Sequence, residues 1–129
     1  MHTLLVVDDQ RGMRLLLREV FHQEGLCVIT AASGTEALTI VRLTPPDLML
    51  LDLKLPKLDG RTVLQQAIRL CPELRVIVMT AAYNEDCALQ LLSYAGVVAV
   101  IAKPFDVHRL RELVTHHLFG GHGTIAGPD

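Results

Sequence analysis

Four apolar runs in this chain end abruptly on residues able to do chemistry. Asp8-Asp9 follows Thr3-Leu4-Leu5-Val6-Val7, Asp52 follows Leu48 to Leu51, Thr80 follows Leu74 to Met79, and Lys103-Pro104 follows Val97 to Ala102. Adjacent carboxylates repel one another unless a cation lies between them. Hard cations such as Mg²⁺ are held by one or two carboxylates plus waters, so Asp8-Asp9 is a candidate metal site. Taken alone, the pair has an alternative of equal weight, in which Asp9 caps the following helix and Asp8 is solvated. Asp52 is likewise either a cap or an acid set where ligands bind, at the carboxyl edge of an open α/β sheet. Lys54, Pro56, Asp59 and Gly60 give a polar, turn-rich loop leading away from it.

The runs themselves say how these groups are positioned. Leu48 to Leu51 is continuously apolar, which fits a strand buried on both faces in the middle of a parallel sheet. Thr3–Val7, Cys27–Ala31, Leu74–Met79 and Val97–Ala102 read as four further strands. Between them the periodicity is helical. Gln10 to Glu24 carries Met13, Leu17, Val20 and Phe21 on one stripe, with Leu16 at its edge, Leu15 nearly opposite and Gly25 as the stop. After a Ser33-Gly34 turn, Thr35 to Leu43 buries Ala37, Leu38 and Val41 and ends before Pro45-Pro46. Arg61 to Leu70 carries Val63, Leu64, Ala67 and Ile68 and closes at Cys71-Pro72. Asn84 is expected to cap a helix running to Ala95 and stopped by Gly96; Asp106 is expected to cap a last one burying Val107, Leu110, Leu113, Val114 and Leu118.

Five strands alternating with five helices through short loops specify an α/β fold. The expected architecture is a five-stranded parallel sheet of flavodoxin-like (CheY-like) order 2-1-3-4-5, with helices on both faces. In that order Asp8, Asp9, Asp52, Thr80 and Lys103 converge on one edge, where the strand order reverses. The 129 residues, half of them hydrophobic, suffice for one domain with a sizeable core. Acids number 14 and bases 12, spread along the chain, so no basic stripe or tail favours nucleic acid. Cys27, Cys71 and Cys87 form no CxxC pattern and read as reduced thiols in or near the core of a cytoplasmic protein. The first apolar run is too short for a signal or membrane anchor.

From about Leu4 to Leu118 the chain resembles the receiver domain of bacterial two-component response regulators. The Asp-Asp, Asp, Thr and Lys-Pro set, complete and in order, carries the resemblance. Asp8-Asp9-Gln10, Gly12-Met13-Arg14, Leu51-Asp52-Leu53-Lys54 and Ala102-Lys103-Pro104-Phe105-Asp106 bring it closest to the single-domain receivers of sporulation phosphorelays. The resemblance implies that Asp52 accepts a phosphoryl group from a sensor histidine kinase or histidine phosphotransfer protein. It further implies Mg²⁺ (or Mn²⁺) on Asp9 and Asp52 directly, on Asp8 mainly through water, and on the backbone carbonyl of Lys54. Lys103 would follow a phosphoryl oxygen and Thr80 would donate to another, with the small Ala81 leaving access. Met13 and Leu16, close to the acceptor, together with Pro104 and Phe105, are the expected partner-docking residues. The only enzymatic activity implied is metal-dependent phosphoryl acceptance and autodephosphorylation, by a cytoplasmic monomer or weak dimer.

Two departures bear on mechanism. Val100 stands three residues before Lys103, where many receivers carry Tyr or Phe, and it has no ring to swing. The run from Thr80 to Lys103 is one residue longer than the common pattern, so Tyr83 does not map cleanly onto the position that tunes dephosphorylation. Tyr94 reads as a half-buried helix residue, and His108, His116 and His117 as a solvated helix face. The receiver is expected over 1–119, with 120–129, rich in glycine and without periodicity, as a flexible tail. With no second domain after it, a stand-alone carrier is favoured over the receiver portion of a longer DNA-binding regulator. An aspartate-nucleophile phosphatase of the haloacid dehalogenase type is disfavoured, because Lys54 occupies the place of its second Asp.

Overall fold

The computed structural model describes residues 1–120. Five parallel strands form one sheet in the order β2-β1-β3-β4-β5: β1 Thr3–Val7, β2 Cys27–Ala31, β3 Leu48–Asp52, β4 Arg75–Thr80 and β5 Val97–Ala102. The helices are α1 Arg11–Gln23, α2 Gly34–Leu43, α3 Gly60–Leu70, α4 Glu85–Leu92 and α5 Val107–Leu118. The expected flexible tail lies, apart from Gly120, outside the described residues.

Period-two alternation divides each strand between two cores. Leu5, Val7, Met49 and Leu51 pack with Ala37, Val41, Val63, Leu64 and Leu91 under α2, α3 and α4. Leu4, Val6, Leu48 and Leu50 pack with Leu17, Phe21, Leu110 and Val114 under α1 and α5. Burial of a side chain such as Phe21 contributes about 2 kcal/mol. β3 is buried along its whole length, as a strand covered on both faces must be.

Register fixes where each strand stops. Val7 pairs with Leu51, Asp52 with Met79, and Thr80 with Ala102, so Asp8, Asp52 and Lys103 emerge at one level. The backbone stitches that edge: Asp8 N–H donates to the Ala31 carbonyl at 3.1 Å, Leu53 N–H to Met79 at 3.0 Å, and Lys103 N–H to Thr80 at 2.8 Å. Asp59, Asn84 and Asp106 cap α3, α4 and α5 through their side-chain oxygens. Ser33 caps α2, and the Glu36 carboxylate reaches back to the Ala32 N–H, so Ser33-Gly34 begins the helix rather than forming a separate turn.

Three local expectations are corrected. α4 ends at Leu92, not Ala95, because Ser93 and Tyr94 donate to carbonyls three residues back and the Ser93 hydroxyl takes the Gln90 carbonyl, tightening the last turn. Tyr94 is therefore half-buried beyond the helix, its phenolic oxygen accepting from the Gln65 amide. Cys27 is exposed, since it opens β2, an edge strand with no neighbour on one side; Cys71 and Cys87 are half-buried. On α5, His108 and His116 are exposed as expected but His117 is half-buried, and its carbonyl accepts from the Arg75 guanidinium.

Candidate functional site

At the carboxyl edge, Asp8 is fully buried and Asp52 nearly so, while Asp9 is exposed. Carboxylate oxygens of all three lie within 4.8 Å of one another. The Lys103 ammonium lies 2.9 Å from Asp8 Oδ2 and 3.4 Å from Asp52 Oδ2. Asp8 Oδ1 accepts the Gln10 N–H at 2.9 Å, and Asp52 Oδ1 accepts the Lys54 N–H at 3.2 Å. The capping alternative for the Asp8-Asp9 pair is thus reversed. Asp8 is the buried member that anchors the turn into α1, and α1 has no side-chain cap at all.

Three carboxylates face one ammonium, an excess of negative charge in a half-closed site. Burial raises the Asp52 carboxyl above its ordinary value, and the neighbouring Asp8 adds to this; Lys103 and the Lys54 N–H pull it down without overcoming burial. Burial on its own lowers the Lys103 ammonium, but the hydrogen bond and charge of Asp8 and the charge of Asp52 outweigh it, and the net shift is upward. Lys103 is therefore a fixed cation held by two acids. All the donor atoms are hard oxygens with charge to spare, which fits a divalent cation of the Mg²⁺ kind.

A shallow cleft opens over this cluster, lined by Asp9, Gln10, Asp52, Lys54, Ala81 and Lys103 among others. Thr80 closes β4 beside it, nearly buried, and its oxygen accepts the Ala82 N–H at 3.0 Å, which leaves the hydroxyl proton available to a ligand. The Thr80 hydroxyl makes no hydrogen bond to the Asp52 or Lys103 side chain among the described residues. Val100 is half-buried against the core under α3 and α4. Tyr83 is exposed on the loop after β4.

Two supporting residues carried no role in the sequence. Arg14 Nη1 donates to the Asp8 carbonyl at 2.9 Å, tying α1 to the end of β1. Gly60 donates to the Leu53 carbonyl at 3.0 Å, and a Cβ there would lie 2.4 Å from that oxygen, so the loop after Asp52 closes only on glycine. The turn signal at Asp59-Gly60 was visible; the close approach was not. Met13 and Phe105 are half-buried against the α1/α5 core, whereas Leu16, 45% exposed, and Pro104 face solvent.

Comparison with known proteins agrees with this geometry. The family model described as response regulator receiver domain matches residues 4–115. The sporulation initiation phosphotransferase F of Bacillus subtilis is 44% identical over 89% of this chain and 92% of its own length. Among solved structures, the CheY-like receiver domain protein of Methanospirillum hungatei superposes with a TM-score of 0.86 at 28% identity, covering 95% of this chain and 98% of that one. The response regulator TrrA of Thermotoga maritima, solved in complex with Mg(2+)-BeF, gives 0.80 at 31% identity, covering 92% of this chain and 100% of that one. The chain belongs to the response regulator receiver domain family, the phosphoacceptor modules of two-component and phosphorelay signalling.

Proposed function

We propose that Asp52 is the phosphoacceptor, taking its phosphoryl group from the phosphohistidine of a sensor histidine kinase or histidine phosphotransfer protein. The chain then acts as a stand-alone signalling or phosphorelay carrier in the cytoplasm, as a monomer or weak dimer. No helix among the described residues is long and apolar enough to cross a membrane. A carboxylate oxygen of Asp52 attacks phosphorus in line as the P–N bond breaks, and the bonding pair stays with the leaving imidazole. The product is an aspartyl phosphate. Later attack on phosphorus by water or by the next acceptor restores the carboxylate, by autodephosphorylation or by onward transfer.

One observation carries the reading: the buried acid that ends the central strand also lines an open cleft, 3.4 Å from a lysine it shares with a second buried acid. Asp8, Asp9, Asp52 and the Lys54 carbonyl would hold Mg²⁺ or Mn²⁺, the first mainly through water. Bound there, such an ion supplies neutralisation of negative charge on the phosphoryl oxygens. TrrA, the relative solved with Mg(2+)-BeF, supports this assignment. Lys103 keeps its proton and moves from the carboxylates toward a phosphoryl oxygen. Thr80 donates its hydroxyl to another, and because its oxygen also holds the Ala82 N–H, the loop after β4 is drawn with it. Val100 cannot relay that movement by a ring flip, so the loop itself carries the signal.

Met13, Leu16, Pro104 and Phe105 border the same edge and dock the histidine-bearing helix of the partner. The test is labelling by a phosphorylated histidine kinase. Wild type should take up a hydroxylamine-sensitive phosphoryl group and Asp52→Asn should take up none. Normal labelling of the variant would remove Asp52 from the role.

A further inference from the structure

Only one of the sheet's two outer strands is guarded against pairing with another chain. Bulges, charges and prolines are the usual guards. On β5 the register slips, Val76 pairing with Val97 and Ile77 with Ala99, so Val98 bulges out of the ladder. β2 reads Cys27-Val28-Ile29-Thr30-Ala31, with no charge and no proline, and its register against β1 is unbroken. Its outward groups follow from its bonds to β1. Cys27 N–H donates to the His2 carbonyl, and the Ala31 carbonyl accepts from Asp8 N–H. Alternate residues of a parallel strand bond to the same neighbour, so Cys27, Ile29 and Ala31 are turned to β1. The N–H and C=O of Val28 and Thr30 face outward, where no second strand lies beside β2 among the described residues.

Two donors and two acceptors in this order are complementary to themselves. About a two-fold axis at Ile29, Val28 of one copy lies opposite Thr30 of the other and exchanges both bonds with it, and the reverse pair does the same. Ile29, on the side of the α2 core, then falls beside its own copy. The charges beside the strand fit the same axis. Arg14 lines a cleft with Thr30, and Glu19 lines one with Val28. Because Val28 and Thr30 change places across the axis, Arg14 of one copy is brought to the level of Glu19 of the other. Leu15, 51% exposed, lines both clefts and so lies nearest the axis. Main-chain bonds from so short a strand do not reach the roughly 1,000 Å² of a specific interface, and these side chains of α1 extend the contact toward it.

We infer that β2 is a self-association strand, through which two copies of this chain join antiparallel at Val28 and Thr30 into one continuous sheet. The inference names the face of the weak dimer proposed above and does not depend on Asp52 being the acceptor. β3 is separated from β2 by β1, so Asp52 stays uncovered in both copies, and the antiparallel pairing sets the two clefts at opposite ends of the joined sheet. Strand addition of this kind draws its affinity from main-chain bonds and its selectivity from the side chains that alternate along the strand.

The experiment follows sedimentation and amide hydrogen exchange of the full chain as its concentration rises. Wild type should sediment increasingly as a dimer, and the Val28 and Thr30 amides should become protected in step with it. Thr30→Pro removes an N–H that faces outward, a place where an outer strand tolerates proline, and should abolish the dimer. Should that variant melt before it can be assayed, Leu15→Lys, a change on the exposed surface of α1, decides instead by weakening the dimer. Register is read by oxidation: Cys27→Ser/Ile29→Cys should form a covalent dimer across the axis and Cys27→Ser should not. Wild-type Cys27 should not link to its own copy, which lies about 14 Å further along the strands. The inference is overturned if wild type stays monomeric at the highest concentration, if folded Thr30→Pro dimerises as wild type does, or if the Ile29→Cys variant crosslinks no better than its parent. A dimer whose protection appears on β5 instead of β2 overturns it too. Acetyl phosphate should label wild type and Thr30→Pro alike; failure to label wild type would count against Asp52 and leave the result on β2 standing.

Discussion

The two ends of the same sheet are built on opposite economies of charge. At the carboxyl edge three acids crowd one lysine, two of them buried, and the loop after Asp52 closes only on a glycine. At the amino edge the polar groups are matched and mostly wet. Asp47 accepts the Thr3 N–H at 2.7 Å and lies 3.9 Å from His2, whose ring meets Phe119 edge-on at 5.0 Å. Arg75 binds the His117 carbonyl and so ties the end of α5 to the start of β4. The amino edge therefore stabilises the sheet, while the carboxyl edge gives up stability for a charge imbalance that a cation and a phosphoryl group can relieve.

The largest test of that contrast is removal of the cation or of one acid. EDTA, or Asp9→Ala, should abolish labelling by acetyl phosphate while the metal-free protein melts about 3 °C higher in the variant, because one repelling charge is gone. Unchanged labelling in EDTA would break the metal assignment, and a lower melting temperature would break the claim that the cluster is strained. Gly60→Ala should cost about 2 kcal/mol, since its methyl group meets the Leu53 backbone rather than a yielding side chain. Urea unfolding measures this, and a loss near zero would mean that the loop after Asp52 is pliant.

Leu16→Ala, and less strongly Met13→Ala, should slow transfer from a phosphorylated kinase about fivefold and leave acetyl phosphate labelling unchanged. Equal slowing with both donors, or a lower melting temperature as the main effect, would return these residues to the core. The smallest effect concerns pH and differs in sign between the ends. Asp52 binds its proton more tightly folded than unfolded, so its contribution to stability falls as pH rises from 3.8 through its folded value. His117 is held below its ordinary 6.5 by burial, and further by His116 and Arg75, so its contribution is intact above 6.5 and is lost as pH falls toward its folded value. His117→Gln should remove that loss, which for a ring only half-buried and still screened by water is no more than about 0.5 kcal/mol. Melting curves between neutral and mildly acidic pH decide it; parallel curves for wild type and variant would show that the amino edge does not sense protons.

Much of this was legible in the residues because parallel strands buried on both faces are long apolar runs, and such runs make their polar ends conspicuous. β1, β2 and β5 fall on their expected bounds, and Asn84 and Asp106 cap the helices expected of them; Asp59, read only as part of a turn-rich loop, proves to be the cap of α3. Local chemistry sufficed there: a strand's composition and a cap's side chain act within a few residues. What the sequence left open was decided by contacts between distant segments. Which of Asp8 and Asp9 is buried depends on Lys103, 95 residues away from Asp8, and on α1 packing down beside Arg14. The exposure of Cys27 follows from β2 being an edge, and the half-burial of His117 from Arg75 reaching it across 42 residues. The helical pattern of α1 identified Leu17 and Phe21 as core, but periodicity cannot say what lies on either side of a buried stripe. Only the packing of β2 on one side and α5 on the other leaves Leu15 and Arg18 exposed while Met13 and Val20 are half-buried, because neighbours, not sequence spacing, determine which surface of a helix water still reaches.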